Sequence, residues 1–163
     1  MLNDIPRTVK IATVWLLLGA AVFLGFQAHE ARQQRLGFSF EAGVVELRRG
    51  ADGHYHWPGT LNGRPLEFLV DTGASRSAVS AALAQELGLE EFGSIQAQTA
   101  AGPVRARLAR ADLALEGGVQ VQRLPLMVLP GLGDVALLGM DVLGRLRLQQ
   151  TGTVLRIEPA AEP

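Results

Sequence analysis

Cysteine is absent from this 163-residue chain, which removes disulfide staples, thiolate metal sites and a cysteine nucleophile. That absence fits any compartment and so locates nothing. Lysine is almost missing as well: Lys10 stands alone, and the arginines are scattered rather than clustered. With a formal net charge of -1 the chain offers no basic field to nucleic acid and carries no acidic tail, so nothing in its charge supports a nucleic-acid partner. There is no long internal repeat and no low-complexity block. The glycines of residues 131–139, GLGDVALLG, lack G-x-G-x-x-G spacing, which leaves nucleotide binding without support.

One long apolar run is present. Residues 11–26 read IATVWLLLGAAVFLGF, with no charge and Thr13 as the polar residue. A stretch of about 20 such residues crosses a bilayer, and Arg7 and Lys10 precede it as they would a signal anchor. A helix apolar on every face is a poor fit to the surface of a globular domain. The sequence therefore predicts a cytoplasmic leader at 1–10, a transmembrane anchor at 11–28 and a polar juxtamembrane linker at 29–43. The following GFQAHEA lacks small-x-small spacing, which favours an uncleaved anchor over a cleaved signal, the remaining alternative. Arg32 and Arg35 nearly balance the flanking charge, so orientation rests on the shortness of the leader.

The length suits one modest domain plus an appendage, and 48% hydrophobic residues supply a core even after the N-terminal run is discounted. From about Val44 onward, short apolar runs are punctuated by glycine, the pattern of a mostly β domain, here placed at residues 44–158. Strands are expected at 44–48, 54–61, 65–70, 95–99, 104–108, 112–115, 119–129, 135–138 and 153–157. Asn62-Gly63 marks a two-residue hairpin, since both positions tolerate positive φ. Short helices are expected at 80–87, with Ser80 as N-cap and Gly88 as the stop, and at 141–147. Residues 159–163, PAAEP, read as a disordered tail.

The stretch richest in chemistry is residues 67–75, EFLVDTGAS. An apolar strand delivers one carboxylate, Asp71, into a tight turn made by Gly73, and burying an acid there is expensive unless something satisfies or uses it. Gly73 lets backbone amides approach the carboxylate, the Thr72 hydroxyl can bond across to a neighbouring copy of the loop, and Ser75 can hold the outer oxygen. Two such carboxylates face to face share one proton, because like charges in contact cannot both ionise. The ionised one then takes a proton from water while the other donates to a scissile carbonyl.

At these residues the chain resembles the retropepsin-like aspartic proteases, and within them the bacterial membrane-anchored type. The resemblance runs over roughly residues 53–158: GHY and LNG, then FLVDTGAS, a short helix ending in LGL, the TAAG tip and LLGMDVLGRL. It implies a mostly β, single-lobed acid-protease barrel with one or two short helices, beside the N-terminal transmembrane helix. It maps the catalytic triplet onto Asp71, Thr72 and Gly73, with Ala74 and Ser75 in support. Leu137, Leu138 and Gly139 match the element that packs beneath the catalytic loop, and Thr99, Ala100, Ala101 and Gly102 the tip of the substrate flap. The family works without metal or cofactor on protein or peptide substrates. One Asp-Thr-Gly in the chain then implies a homodimer, and the resemblance places its domain in a bacterial periplasm, anchored singly in the inner membrane.

Ala101 and Pro103 in the flap, and Asp141 after Met140, depart from the family pattern, the last as an acid able to shift the pair's titration. Competing readings stay open at this stage. Asp71 alone fits a turn-capping aspartate, and the whole domain fits a non-catalytic, membrane-anchored dimerisation or peptide-binding module. His54 and His56 share a strand face, but two ligands without a third fit a solvated face better than a metal site.

Overall fold

The computed structural model describes residues 11, 13, 15–25, 37–40 (backbone alone), 43–99, 102–133 and 135–160. The chain divides into two compact units, Met1–Leu36 and Gly37–Pro163. In the first, residues 15–25 are helical, with apolar side chains such as Trp15, Leu16 and Phe23 exposed. Among the described residues no helix is long and apolar enough to cross a membrane. The end of the expected span, residues 26–28, and linker residues 29–36 and 41–42 lie outside the described residues.

The second unit is mostly β with two short helices. Its strands are β1 (Gly37–Phe40), β2 (Val45–Arg48), β3 (His56–Leu61), β4 (Arg64–Val70) and β5 (Ala78–Ser80). Helix α1 (Ala81–Glu86) leads to β6 (Glu90–Thr99), β7 (Gly102–Leu115), β8 (Val119–Leu129) and β9 (Ala136–Leu138). Helix α2 (Met140–Leu143), β10 (Leu146–Thr151) and β11 (Val154–Pro159) complete the chain. The large sheet runs β1-β8-β5-β9-β4-β3-β7-β6, and β7 also pairs with β8. That extra pairing closes β8, β5, β9, β4, β3 and β7 into a barrel, leaving β1 and β6 outside the ring. Closure removes the unpaired edges that an open sheet would present. A second sheet, β10-β11-β2, lies beside it in the chain order.

Local chemistry accounts for most turns. Asn62 (φ 50°) and Gly63 (φ 80°) take the left-handed conformations that the β3–β4 hairpin needs. Gly117 (φ 90°) and Gly118 (φ 86°) do the same between β7 and β8. Ser80 caps α1 by accepting from the Leu83 amide at 3.1 Å.

Three expectations change. Residues 37–40, expected as linker, are a strand paired antiparallel with β8 from Gly37↔Gln122 to Phe40↔Val119. The free side of β8 supplies hydrogen-bond partners that local polarity does not reveal. The helix expected at 141–147 stops at Leu143, because Gly144 follows and Leu146 and Leu148 then alternate with exposed Arg147 and Gln149 in a strand. Pro159, expected in the tail, closes β11 opposite Leu146, while 161–163 lie outside the described residues.

The core gathers inward residues of β3, β7 and β8, with Trp57, Leu61, Leu124 and Leu126 at most 1% exposed. Trp57 is fully enclosed and its indole Nε1–H donates to the Glu116 carbonyl at 2.8 Å, satisfying its one polar atom. Tyr55 differs, for its hydroxyl is buried with no hydrogen-bond partner. Two substitutions in this core should separate in urea titrations. Trp57→Ala should lose about 3–5 kcal/mol through the cavity it opens. Tyr55→Phe should hold or gain up to about 1 kcal/mol, since it removes an unsatisfied group. A clear loss for Tyr55→Phe would mean that the hydroxyl has a partner.

Candidate active site

Asp71 leaves the end of β4 at a point fixed from two sides. The Val70 amide donates to the Tyr55 carbonyl at 2.9 Å, and the Asp71 amide donates to the Leu138 carbonyl at 3.0 Å. Beneath it β4 runs parallel to β9, with Phe68 opposite Ala136, Leu69 opposite Leu137 and Val70 opposite Leu138. The chain then turns: the Ala74 amide donates to the Asp71 carbonyl at 3.3 Å, and the Gly73 amide donates to Asp71 Oδ1 at 2.8 Å. A Cβ at residue 73 would stand 3.2 Å from that same oxygen, so glycine lets the amide come close. Asp71 and Ala74 are half-buried, whereas Thr72, Gly73 and Ser75 are exposed.

Leu137, Leu138 and Gly139 lie directly under this loop. Leu138 is fully buried, and Leu137 pairs with Ala78 of β5. Gly139 has an ordinary extended backbone (φ -98°), so freedom of φ is not why it is glycine. A Cβ there would sit 2.5 Å from the Arg76 carbonyl carbon and 2.8 Å from the Ser77 nitrogen. Its position requires two backbones to touch. The Met140 amide then donates to the Ala74 carbonyl at 2.8 Å, closing the loop onto the turn.

The residue that binds these pieces is Asp141. Its carboxylate accepts the Ser77 amide at 3.0 Å on each oxygen, the Ser77 hydroxyl at 2.8 Å and the Val142 amide at 3.0 Å. The Ser77 hydroxyl oxygen in turn accepts the Gly139 amide at 3.1 Å. Asp141, read from sequence as an acid near the site, is bonded to Ser77 and to the start of α2. Sequence reasoning passed over Ser77, because a lone serine carries no pattern. The signal that was available is Asp141 in the first turn of a helix whose N-cap, Gly139, has no side chain.

The expected flap is the hairpin of β6 and β7. Thr99 pairs with Gly102, the Thr99 hydroxyl donates to the Gly102 carbonyl at 2.7 Å, and Gly102 takes φ 108°. Ala100 and Ala101 lie outside the described residues. Pro103 stands opposite Gln98. Lower down, Ala97 and Ala106 of the hairpin pack with Ala78 and Leu129, and Leu137 borders the same cluster. The hairpin and the element beneath Asp71 thus share one apolar base.

The two histidines part company. His56 Nε2 lies 2.8 Å from Asp52 Oδ2 and its Nδ1 lies 3.7 Å from Glu67 Oε2, while His54 is exposed. The His56 hydrogen bond, then the His54 backbone amide, hold the exposed Asp52 carboxyl below its ordinary range. The carboxylates sit at opposite ring nitrogens, and among the described residues no three His, Asp or Glu side chains converge on a metal position. A groove of about 690 Å³ lies elsewhere, between Pro58–Thr60, Pro65–Glu67 and Ala114–Glu116, and excludes Asp71.

An Asp-Thr-Gly loop at a strand end, clasped from below by Leu-Leu-Gly, on a six-stranded barrel with a long hairpin whose base packs on the same element, defines a retropepsin-like aspartic protease fold. The chain belongs to the gag-polyprotein aspartyl protease family, whose pattern it matches over residues 57–145, more than half its length. It is similar to the crystal structure of a retropepsin-like aspartic protease from Rickettsia conorii, with 26% identity and a TM-score of 0.58 over 76% of this chain and 97% of that one. EIAV protease, solved with the inhibitor HBY-793, matches at 22% identity and a TM-score of 0.48 over 58% of this chain and 89% of that one. An uncharacterised protein of Rickettsia prowazekii (strain Madrid E) is 27% identical over an alignment of 99 residues, with coverage of 54% of this chain and 43% of the relative. This chain therefore matches less than half the length of that relative.

The Asp141 clasp generates a stability prediction. Asp141→Ala strands the Ser77 amide and hydroxyl and should cost about 2–3 kcal/mol, while Asp141→Asn, which keeps one acceptor oxygen, should cost less. Chemical denaturation of both variants measures this, and equal stability for Asp141→Ala and the parent would refute the clasp.

Proposed function

We propose that this chain is an aspartic endopeptidase whose catalytic pair is Asp71 and Asp71 of a second copy. The observation that carries the reading is the Asp71 loop itself. One carboxylate is held by the Gly73 amide at the end of an apolar strand, half-buried, with Thr72 and Ser75 exposed around it. A single chain thus supplies half of a two-carboxylate site, and a two-fold axis through the loop would bring the other half. Thr72 then bonds across the axis, and Ser75 supports the outer oxygen.

In the working dimer the pair shares one proton and titrates as a unit. The ionised carboxylate takes a proton from water as its oxygen attacks the scissile carbonyl carbon, and the protonated carboxyl donates to the carbonyl oxygen. Collapse of the resulting diol breaks the C–N bond as the amide nitrogen takes a proton. The β6–β7 hairpin covers an extended protein or peptide substrate, which is held largely by backbone hydrogen bonds. The dyad supplies the chemistry without a metal or cofactor.

Residues 11–28 serve in this reading as a single-pass anchor in a bacterial inner membrane, with residues 44–158 in the periplasm. The uncharged run and the helix at 15–25 support it. Confinement to a plane raises the effective concentration of copies and favours their pairing.

Cleavage of a peptide library by the parent and by Asp71→Asn tests the mechanism. The variant should fold, dimerise and lose at least about 100-fold in kcat/KM; undiminished cleavage would end the assignment. Mixing parent and Asp71→Asn subunits equally, with full exchange, tests the shared site. Activity should fall to roughly a quarter, as only parent–parent pairs retain both carboxylates. A fall to one half would mean that each copy acts alone.

A further inference from the structure

Arginines of this domain are mostly occupied. Arg64, Arg107 and Arg156 pair with Glu86, Glu91 and Glu158, Arg105 binds the Ser94 hydroxyl, and Arg110 lies over the Phe92 ring at 3.9 Å. Arg76 is exposed and, among the described residues, has no such partner. Arg48, Arg123 and Arg147 are similar, but they stand on β2, β8 and β10, outside the segment from Asp71 to Ser77. Arg76 is different in being part of that loop's exit.

Its backbone is also fixed where its side chain is free. The Arg76 carbonyl group is pressed against Gly139, and the next residue, Ser77, is held on amide and hydroxyl by Asp141. That commitment ties the Asp141 carboxylate to Ser77 rather than to the guanidinium. Arg76 follows Asp71 by five positions, which limits their Cα separation to about 17 Å even in a fully extended chain. An extended peptide covers that distance in about five residues.

We propose that Arg76 is a specificity-determining residue that selects substrates with an acidic side chain within a few residues of the scissile bond, a role that rests on the protease reading above. A planar guanidinium recognises a carboxylate with two parallel hydrogen bonds. Because its Cα is anchored to the same clasp as Asp71, it registers the acid against the reacting carbonyl. In a symmetric dimer the two copies of Arg76 offer this contact on both sides of the cut.

The test uses peptides with Leu-Phe fixed at the centre and Glu, Gln or Lys scanned through the outer positions. The parent should cleave the best Glu peptide about fivefold faster in kcat/KM than its Gln twin, a preference that shrinks as salt screens the contact. Arg76→Gln should level the two, and Arg76→Glu should favour Lys. Equal Glu and Gln rates in the parent, or an unchanged ratio in Arg76→Gln, overturns the proposal. Binding of the same peptides to Asp71→Asn and to Asp71→Asn/Arg76→Gln, read by fluorescence anisotropy, needs no turnover. Acid-preferring binding lost with Arg76 supports the contact even if the parent cleaves nothing, an outcome that defeats the protease reading alone. Binding indifferent to charge defeats the Arg76 proposal whether or not peptides are cut.

Discussion

Ser77 and Asp141 stand 64 residues apart in the sequence, and the geometry around Asp71 depends on their meeting. The Asp141 carboxylate takes both Ser77 donors, and the Ser77 oxygen takes the Gly139 amide. Several donors on one carboxylate fix its position more firmly than a single bond would. The Asp71 loop on one side and the Leu137–Gly139 turn on the other are therefore a single unit. Gly139 belongs to the same constraint: any side chain there would push Arg76 and Ser77 away and open the clasp.

Rigidity below the loop contrasts with exposure above it. β4, β9 and β5 hold the floor through paired strands and a buried Leu138, while Thr72, Gly73 and Ser75 face outward. A carboxylate in the proposed catalytic role needs that combination. Its position must be set before substrate arrives, because misplacement by an ångström costs orders of magnitude in rate, yet its working face must stay open to a partner and a peptide. The β6–β7 hairpin follows the same pattern. Small alanines, Ala97, Ala106 and Ala78, join it to the floor, and its upper strands extend beyond the barrel with pairing on one side of β6 alone.

The barrel explains how so short a chain builds such a site. β7 pairs with β6 and β3 at successive points and with β8 over its second half, so its 14 residues serve as hairpin arm, wall and ring closure. The bulge near Asp112 re-aims it, with Asp112 accepting the Arg123 amide and the Asn62 side chain accepting the Asp112 amide. Polar residues at that bend satisfy backbone groups that a regular ladder would have paired.

Much of this was legible in the residues. Asn62-Gly63, Gly117-Gly118 and the Ser80 cap are local devices whose φ preference or hydroxyl suffices to place a turn or a helix start, and Asp71-Thr72-Gly73 after four apolar-rich positions marked the loop. Other features are decided by what a segment meets. β1 became a strand because β8 had a free side, and β5, at three residues, is too short to carry a period of its own. That Asp141 would bond to Ser77 could not be read from either residue's neighbours. The sequence by itself determined which residues can turn, cap and carry charge, because those are properties of a few adjacent dihedrals and side chains. Tertiary structure alone decided that Ser77, Gly139 and Asp141 act together, because a hydrogen bond across 64 residues exists only once the barrel has closed.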